Sequence, residues 1–307
     1  MKTILITGGL GFLGKNVAKH YHSLGYKVYG IGHGKIPTEE LNTFGFHQWF
    51  ESSVDLSALK SLDIKPDYIL HAGGSGSVPH SYSNPFQDFV KTVDSTAQLL
   101  EYIKTHCPSA QLIYPSSPAV QGAHQATPIK VTDPCHPISP YGSHKLMAEQ
   151  LCNSYSKNFG LKINIIRFFS IYGEGLKKQL LWDASNRLLL EKQNAEFWGT
   201  GEDVRDWIHI DDAVDLIAKV FETATNLPII NGASGQGHSV SEILFSLKEH
   251  LNSKATISFK GEQKKGDPSY YVAELSESNS LGWNPKVKLS DGLKRYATWI
   301  KKELNHD

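Results

Sequence analysis

The first fifteen residues restrict the fold of this chain more than any other stretch. An apolar run, TILIT at 3–7, leads into ITGGLGFLG, and apolar residues then recur at helical spacing. Gly9, Gly11 and Gly14 match G-x-G-x-x-G, which permits a tight turn and a close approach of backbone to a pyrophosphate at a helix N-terminus. A glycine-rich turn without a ligand is the alternative. The residues predicted to bind the dinucleotide here are Gly8, Gly11, Phe12, Leu13 and Gly14.

Further apolar runs alternate with helical patterns through the first half of the chain. The predicted strands are 3–7, 27–31, 67–72, 111–117 and 163–170. Buried strands alternating with helices predict an α/β fold, a doubly wound Rossmann parallel sheet over 1–172. The regular alternation of strand and helix patterns ends after residue 172. We therefore expect 173–307 to form mainly a smaller α/β substrate lobe, with a segment near 205–232 returning to the first domain.

Composition excludes several classes of protein and location. Thirty-one basic residues balance 31 acidic ones in 307, which argues against a nucleic-acid partner. No run approaches the roughly 18 apolar residues of a membrane span. Three cysteines without a CxxC pair favour a reducing compartment, so we expect the cytoplasm. His20 and His22 lie two apart on a helix and cannot face one ion, and no metal site is predicted.

The end of the second strand bears on the choice of cofactor. An NAD site usually carries Asp or Glu roughly 20 residues after the glycines, and an NADP site replaces it with a cation for the 2′-phosphate. Here that distance ends at Gly32, followed by His33 and Lys35, and the first carboxylate is Glu39. This pattern favours NADP(H), with His33 and Lys35 as phosphate contacts. NAD(H) held by other contacts is the alternative.

A tyrosine and a lysine with helical spacing are the candidate catalytic pair. In SPYGSHK, Tyr141 and Lys145 lie one turn apart on the same helix face. An ammonium group near a phenol stabilises the phenolate and lowers its pKa, which suits acid–base catalysis. Ser116 and Ser117 end a predicted strand where ligands bind in open α/β sheets, and Ala72 and Gly73 end another. An exposed helix face and a turn before Pro118 are the alternatives without a function.

Motifs along the whole chain resemble one family. T-G-G-x-G-F-L-G near the start, S-S-x-A-V at 116–120 and S-P-Y-x-x-x-K at 139–145 are similar to those of the extended short-chain dehydrogenases/reductases. So are RFFSIYGEG at 167–175, WGTGEDVRDWIHIDDAV at 198–214 and SLGWNPKVKLSDGLK at 280–294. This family contains nucleotide-sugar epimerases, dehydratases and reductases.

The resemblance implies a role for individual residues. It makes Tyr141 the acid/base, Lys145 the residue that orients it and binds the nicotinamide ribose, and Ser117 the donor to the reacting sugar oxygen. Asp55 and Leu56 occupy the adenine-contacting position, and Ala72 and Gly73 line the cofactor. The residues implied to contact substrate are Ser75, Ser117, Ser170, Arg205 and Lys264, of which Arg205 would contact the diphosphate.

Departures from the family motifs reduce the number of reactions that this chain is expected to catalyse. The dehydratases carry T-D-E where this chain has Ser117, Pro118 and Ala119, which argues against 4,6-dehydration. The main hypothesis is an NADPH-dependent reductase of a nucleotide-diphosphate-linked 4-keto-(6-deoxy)hexose, with hydride delivered to C4 and Tyr141 as proton donor. The alternative is a 4-epimerase with tightly bound NAD. A redox sensor that binds NADP without catalysis is a third hypothesis.

Two helices are candidates for self-association. The helical patterns at 85–106 and 141–159 carry more apolar residues than one sheet face needs, including Phe89, Val93 and Leu146. Family members commonly pair these helices across a dimer. The resemblance therefore implies a homodimer through 85–106 and 141–159.

Overall fold

The computed structural model describes residues 1–123, 127–190, 194–261 and 269–304, which form two compact units. Unit 1 comprises Met1–Gly122, Asp133–Phe168 and Val214–Ile230. Unit 2 comprises Ala123–Thr132, Phe169–Ala213 and Asn231–Asp307.

These divisions differ in detail from the predicted ones. The first long division falls after Phe168 rather than after 172, because 170–172 form a strand that pairs with 207–209 in unit 2. The returning segment is Val214–Ile230, shorter than the predicted 205–232. No sequence pattern predicted that 123–132 belong to unit 2.

Thirteen strands are present in the described residues. In chain order they are β1 Thr3–Thr7, β2 Lys27–Gly32, β3 Gln48–Glu51, β4 Tyr68–His71, β5 Gln111–Ser116, β6 Lys162–Phe168, β7 Ser170–Tyr172, β8 Asn194–Phe197, β9 Val204–His209, β10 Ile229–Gly232, β11 Gly237–Ser239, β12 Thr256–Phe259 and β13 Tyr270–Tyr271.

Twelve α-helices accompany the strands over the same part of the chain. They are α1 Phe12–Ser23, α2 Leu41–Phe44, α3 Leu56–Ser61, α4 Val78–Ser83, α5 Pro85–Phe89, α6 Ser95–His106, α7 Pro140–Phe159, α8 Gln179–Leu190, α9 Ile210–Thr223, α10 Val240–Leu251, α11 Ser276–Ser280 and α12 Leu289–Glu303. A π-helical turn at Val90–Asp94 joins α5 to α6, so the helix predicted over 85–106 is one helical run.

The main sheet has seven strands in the order β10-β6-β5-β4-β1-β2-β3. The pairings among β1 to β6 are parallel, and Thr7 lies beside His71 in the register of β1 and β4. Its apolar strands are buried, as in a sheet covered on both faces. Because parallel strands end at one edge, the segments after β1, β4 and β5 lie next to each other. The predicted Rossmann sheet is confirmed.

Unit 2 is built around β9. This strand pairs with β7 and β13 in parallel and with β11 antiparallel, and β8 pairs with β12. Asp206 on β9 is fully buried and accepts hydrogen bonds from the backbone N–H groups of Ser234 and Gly235 at 2.7 and 2.9 Å. Ser239 and Glu242 form the capping box that the sequence predicts at the start of α10.

Among the described residues, no helix combines the length and the apolar character that crossing a bilayer would need.

Candidate active site

The glycine turn after β1 is required by close packing. Gly8 has φ +64°, and its N–H donates to the Ile31 carbonyl at 2.8 Å. A Cβ atom at Gly8 would lie 2.7 Å from the Ala72 carbonyl oxygen, and one at Gly14 would lie 2.6 Å from the Gly8 carbonyl oxygen. Contacts this short are not tolerated, so both positions need glycine to keep β1, α1 and the end of β4 together.

The first turn of α1 fits a pyrophosphate. Gly11 is the exposed N-cap residue, no side chain caps the helix, and its first turn holds no acidic residue. The first intrahelical hydrogen bond runs from the Lys15 N–H to the Gly11 carbonyl at 3.0 Å. The amides of Phe12, Leu13 and Gly14 therefore have no intrahelical acceptor and, with the helix dipole, favour an anion.

Trp49 explains the glycine at the end of β2. A Cβ atom at Gly32 would lie 3.1 Å from the Trp49 six-membered ring, and one at Gly30 would lie 2.6 Å from the same indole. The indole N–H donates to the Gly34 carbonyl at 2.8 Å, which holds the ring in place. A side chain at Gly32 would therefore press on the Trp49 ring, which favours glycine at this position. The predicted phosphate contacts His33 and Lys35 are exposed.

The predicted adenine-side residues already have partners. The Asp55 carboxylate caps α3 by accepting from the Ala58 N–H at 2.9 Å. The Leu56 N–H donates to the Gln98 side-chain oxygen at 2.8 Å. Asp55 keeps one carboxylate oxygen for another donor, whereas the Leu56 amide would have to exchange partners. Their cofactor role stays a prediction.

A buried chain of hydrogen bonds holds the end of β4. The Thr96 hydroxyl donates to the Thr92 carbonyl at 2.6 Å, so Thr96 Oγ1 accepts from His71 Nε2. His71 Nδ1 therefore accepts from the Thr7 hydroxyl at 2.6 Å, and Thr7 Oγ1 accepts from the Gly73 N–H at 3.0 Å. His71 Nε2 then carries the hydrogen and lies 3.1 Å from Thr96 Oγ1. Burial, and secondarily the charge of Lys145, lowers the His71 pKa to about 3, so the ring is neutral. Sequence analysis did not select His71.

These hydrogen bonds position the small residues that follow β4, where the cofactor and the substrate are predicted to bind. Ala72 and Gly73 are partly buried, and the Ser75 N–H donates to Thr92 Oγ1 at 3.3 Å. Ser75 therefore follows a fixed backbone, and its substrate contact remains a prediction.

Glycine also brings α7 against the end of β5. Ser139 caps α7 by accepting from the Gly142 N–H at 3.1 Å, and the Tyr141 N–H donates to Ser81 Oγ at 3.0 Å. A Cβ atom at Gly142 would lie 2.4 Å from the Ala119 carbonyl oxygen. The first turn of α7 thus lies directly on the segment that follows β5.

That approach joins the predicted serine and tyrosine. The side chains of Ser117 and Tyr141 are hydrogen-bonded, which lowers the Tyr141 pKa, but burial is the larger effect and raises it to about 12. Lys145 is not among the causes, so the predicted lowering by its ammonium group is not observed. Ser116 Oγ is buried without a hydrogen-bond partner, whereas Ser117 is partly exposed. Ser117 is therefore the serine that can act with Tyr141.

Lys145 is buried one helical turn from Tyr141. Its Nζ donates to the Pro115 carbonyl at 2.9 Å and lies 4.8 Å from the centre of the Tyr114 ring. Burial lowers the Lys145 pKa to about 8, while the nearby carboxylates of Glu149 and Asp88 raise it. The ammonium form therefore persists near neutral pH and is lost above about pH 8.

A buried acid–histidine pair beside these residues was missed by sequence analysis. Asp88 on α5 is fully buried, and its Oδ2 lies 2.6 Å from His144 Nδ1. His144 stands between Tyr141 and Lys145 on α7. The pair is formed by residues 56 apart in the chain, so the local pattern SHK carries no sign of it.

The remaining predicted substrate residues lie elsewhere. Ser170 is the first residue of β7, and Arg205 is on β9; both are in unit 2. The Arg205 guanidinium lies 5.9 Å from the Tyr271 ring centre, and one of its N–H groups donates to the Val204 carbonyl at 3.0 Å. Lys264 lies outside the described residues. Within the described parts of the chain, no three His, Cys, Asp or Glu residues cluster as metal ligands would.

Comparison with known proteins identifies the family of this chain. The sequence model described as the NAD dependent epimerase/dehydratase family matches residues 4–231, which is most of the chain. The chain belongs to this family. The glycine turn, the Ser117–Tyr141 contact and Lys145 all lie within the matched residues. The predictions of the family and of an enzyme are confirmed.

Three proteins illustrate the similarity. The UDP-glucose 4-epimerase of Azospirillum brasilense is 27% identical over 98% of this chain and 92% of its own. The crystal structure of the Thermotoga maritima UDP-glucose 4-epimerase with UDP-glucose has a TM-score of 0.90 at 27% identity, covering 98% and 99% of the two chains. The UDP-glucuronic acid 4-epimerase of Bacillus cereus, with UDP-glucuronic acid and NAD, has a TM-score of 0.87 at 28% identity and the same coverage.

These comparisons do not support the predicted preference for NADP. The family is NAD dependent, and the Bacillus cereus structure contains NAD. The prediction rested on Gly32, and the packing of Trp49 explains that glycine without a 2′-phosphate. The inference from sequence treated a missing carboxylate as a gained phosphate site, and neither the family nor the NAD-containing neighbour supports that step.

Proposed function

We propose that the protein is a 4-epimerase of a nucleoside-diphosphate sugar and uses NAD as its resident cofactor. The observation that carries the proposal is the hydrogen-bonded Ser117–Tyr141 pair, with Lys145 one turn further along α7. Membership of an NAD dependent family and the overall likeness to two sugar-nucleotide 4-epimerases support it. The hypothesis of a sensor without catalysis fits less well, since it would not require this pair.

The chain supplies the proton chemistry of such a reaction. Bound NAD supplies the acceptor and the donor of the hydride at the sugar C4. The Tyr141 oxygen takes the proton of the C4 hydroxyl during oxidation and returns it to the developing alkoxide during reduction. The Ser117 hydroxyl stabilises negative charge on the phenolate, and it can also donate to the sugar oxygen. With a pKa of about 12, Tyr141 holds its proton near neutral pH and is ready for the donating step. The oxidising step requires the phenolate, which the hydrogen bond from Ser117 stabilises.

Lys145 and the glycine turn position the reactants. The Lys145 ammonium group is a buried positive charge whose contact with the Pro115 carbonyl fixes its direction. Such a group can donate to a ribose hydroxyl and can stabilise charge that develops nearby. The free amides of α1 hold the pyrophosphate.

The substrate is a sugar joined to a nucleoside diphosphate, and uridine is the first base to test because the neighbours contain UDP-sugars. Arg205, with its fixed guanidinium group, is the proposed diphosphate contact. Ser75, Ser170 and Lys264 remain predicted substrate contacts.

The experiment incubates purified protein with UDP-glucose, UDP-glucuronic acid or UDP-N-acetylglucosamine and follows the anomeric ¹H signals of each C4 epimer. We expect one pair to interconvert without added reductant, NAD to be released on acid denaturation, and Tyr141→Phe to lose at least about 10²-fold in kcat. Tyr155→Phe, on the same helix but bonded to Glu101, is the matched control and should retain activity. NADPH-dependent reduction of a 4-keto sugar nucleotide without epimerisation would instead establish the reductase hypothesis.

We also propose a homodimer through the helical run 85–106 and α7. Val93, one of the residues expected at the dimer face, is buried inside unit 1, and Leu151 packs against its core. The large apolar side chains that are exposed on these helices are Phe86, Phe89, Val90, Met147 and Phe159. Light scattering on the purified protein should give twice the chain mass, and Phe86→Asp should halve it.

The cytoplasm is the proposed compartment. Cys107, Cys135 and Cys152 are free thiols, as expected in a reducing environment. Fluorescent fusion of the full chain in its native cell would test this.

A further inference from the structure

The Asp88 carboxylate is the most unusual buried group near the catalytic pair. It is 0% exposed, Oδ2 is paired with His144 Nδ1, and Oδ1 has no hydrogen-bond partner. Burying a carboxylate with one of its oxygens unpaired is costly. A residue with only a packing role would be better served by an apolar side chain of similar size.

The charge of this carboxylate acts on both catalytic residues. Asp88 raises the pKa of Tyr141, because it disfavours a second negative charge nearby. It also raises the pKa of Lys145, because it favours the ammonium group. His144 links Asp88 to α7 and is itself held by the Phe89 ring, edge-on at 5.7 Å. One carboxylate on α5 therefore influences two residues on α7.

Other charged groups near Asp88 come from three helical elements. Helix α5 contacts α4, the π-helical turn and α7. The titratable and charged residues on these neighbours are His80 and Tyr82 on α4, Lys91 and Asp94 on the π-helical turn, and Tyr141, His144, Lys145, Glu149, Cys152, Tyr155 and Lys157 on α7. Lys91 is exposed, and in the described residues the salt bridge of Asp88 is with His144.

We propose that Asp88 and His144 are a positioning pair, which fixes the first turn of α7 and keeps a carboxylate charge beside the Tyr141 hydroxyl and the Lys145 ammonium group. After Glu149, the Asp88 charge is the next to favour the ammonium form of Lys145, and it also favours the protonated form of Tyr141. Its effect on Lys145 is a property of the protein itself, whereas its effect on turnover rests on the proposed function.

The first experiment measures the titration of Lys145 in protein carrying ¹³C- and ¹⁵N-labelled lysine, by NMR, with Lys145→Arg to assign the signal. The midpoint in the unsubstituted protein should lie near pH 8. Asp88→Asn keeps the shape and removes the charge, and should lower the midpoint by about one pH unit. Glu101→Gln removes a carboxylate on α6 that is paired with Lys104, and should leave the midpoint unchanged. His144→Gln retains the Asp88 carboxylate and should not lower the Lys145 midpoint.

The second experiment measures kcat and KM for epimerisation against pH. Asp88→Asn should move the alkaline fall of kcat to lower pH by a similar amount and leave KM for the sugar nucleotide within about twofold. If the protein epimerises no sugar nucleotide, the proposed function fails and the Lys145 titration still decides the present proposal.

An unchanged Lys145 midpoint in folded Asp88→Asn would refute the positioning role, even if the melting temperature fell. If that variant does not fold, the double variant Asp88→Asn/His144→Gln restores an amide–amide hydrogen bond without charge, and should show the same lowered midpoint. Failure of both variants to fold would mean that the pair is a structural element only, and would also overturn the proposal.

Discussion

Replacing Gly142 by alanine should separate Tyr141 from Ser117 while leaving the protein folded. Gly142 is the residue after Tyr141, in the first turn of α7. The new methyl group would lie 2.4 Å from the Ala119 carbonyl oxygen and 3.0 Å from Pro137 Cβ. Since the nearer atom is backbone, it cannot move away as a flexible side chain would. The first turn of α7 must therefore shift.

The size of the shift follows from the contact distance. An ordinary van der Waals contact begins at 3.4 Å, so relief of the 2.4 Å contact requires a movement of about 1 Å. A displacement of about 1 Å at catalytic groups can cost about 10²-fold in rate. Overpacking costs about 1–3 kcal/mol of stability, and the better helix propensity of alanine returns up to about 1 kcal/mol. The expected outcome is a large loss of kcat with a modest loss of stability.

The assay compares kcat/KM for the interconverted sugar nucleotides and the free energy of unfolding in urea. Gly160→Ala, at the other end of α7, is the matched control: Gly160 has φ +68° and no atom within 4 Å of the added Cβ. It should cost about 1–2 kcal/mol through left-handed backbone strain and leave kcat/KM unchanged. Full activity of folded Gly142→Ala would refute the reasoning, as would an equal loss of activity in both variants.

Three further outcomes are expected. The pKa of Lys145 is about 8 in the folded protein and 10.5 in the unfolded chain, so the unfolded chain binds more protons between these pH values. The free energy of unfolding should therefore rise by about 2 kcal/mol between about pH 7.5 and 9.5, relative to the Lys145→Met variant. Urea titrations at each pH would measure this rise. Arg167 donates to both carboxylate oxygens of Glu149, at 3.0 and 2.8 Å, and Glu149→Gln removes one partner of this buried ion pair. Calorimetry should show that the free energy of unfolding falls by about 3–5 kcal/mol. A fall below about 1 kcal/mol would contradict the description of this contact as a buried ion pair. Ser239→Ala removes the N-cap that accepts from the Glu242 N–H at 3.1 Å, and should cost about 1 kcal/mol in urea unfolding without changing activity.

Local patterns in the sequence were sufficient for much of the fold. Apolar runs located five of the seven strands of the main sheet but not β3 and β10, and helical spacing located 85–106 and α7. The capping box at Ser239 was predicted from two residues because both its hydrogen bonds form within one turn. Tyr141 and Ser117 were selected from motifs, and their contact depends on packing that no motif specifies.

The rest of the site depends on residues distant in the chain. Asp88 meets His144 across 56 positions, and Thr7 meets His71 across 64. Trp49 on β3 fills the space beside Gly32, so the structural reason for that glycine involves a side chain from another strand. A single sequence shows none of these contacts, and the absent carboxylate at Gly32 was therefore interpreted without the steric contact that Trp49 makes there.

Unit 1 is built from three separate segments of the chain, and this restricts where the coding sequence can be truncated or recombined. Its sheet needs β10, which arrives some sixty residues after β6 ends, and the Val214–Ile230 segment supplies the carbonyl of Pro228 that accepts from the Ile165 N–H at 2.8 Å. A chain terminated at Phe168 would expose the whole edge of β6, which invites association with other strands. Nonsense mutations anywhere before codon 230 should therefore yield aggregating products rather than a free dinucleotide-binding domain. Recombination between relatives should succeed only when all three segments of unit 1 come from the same parent.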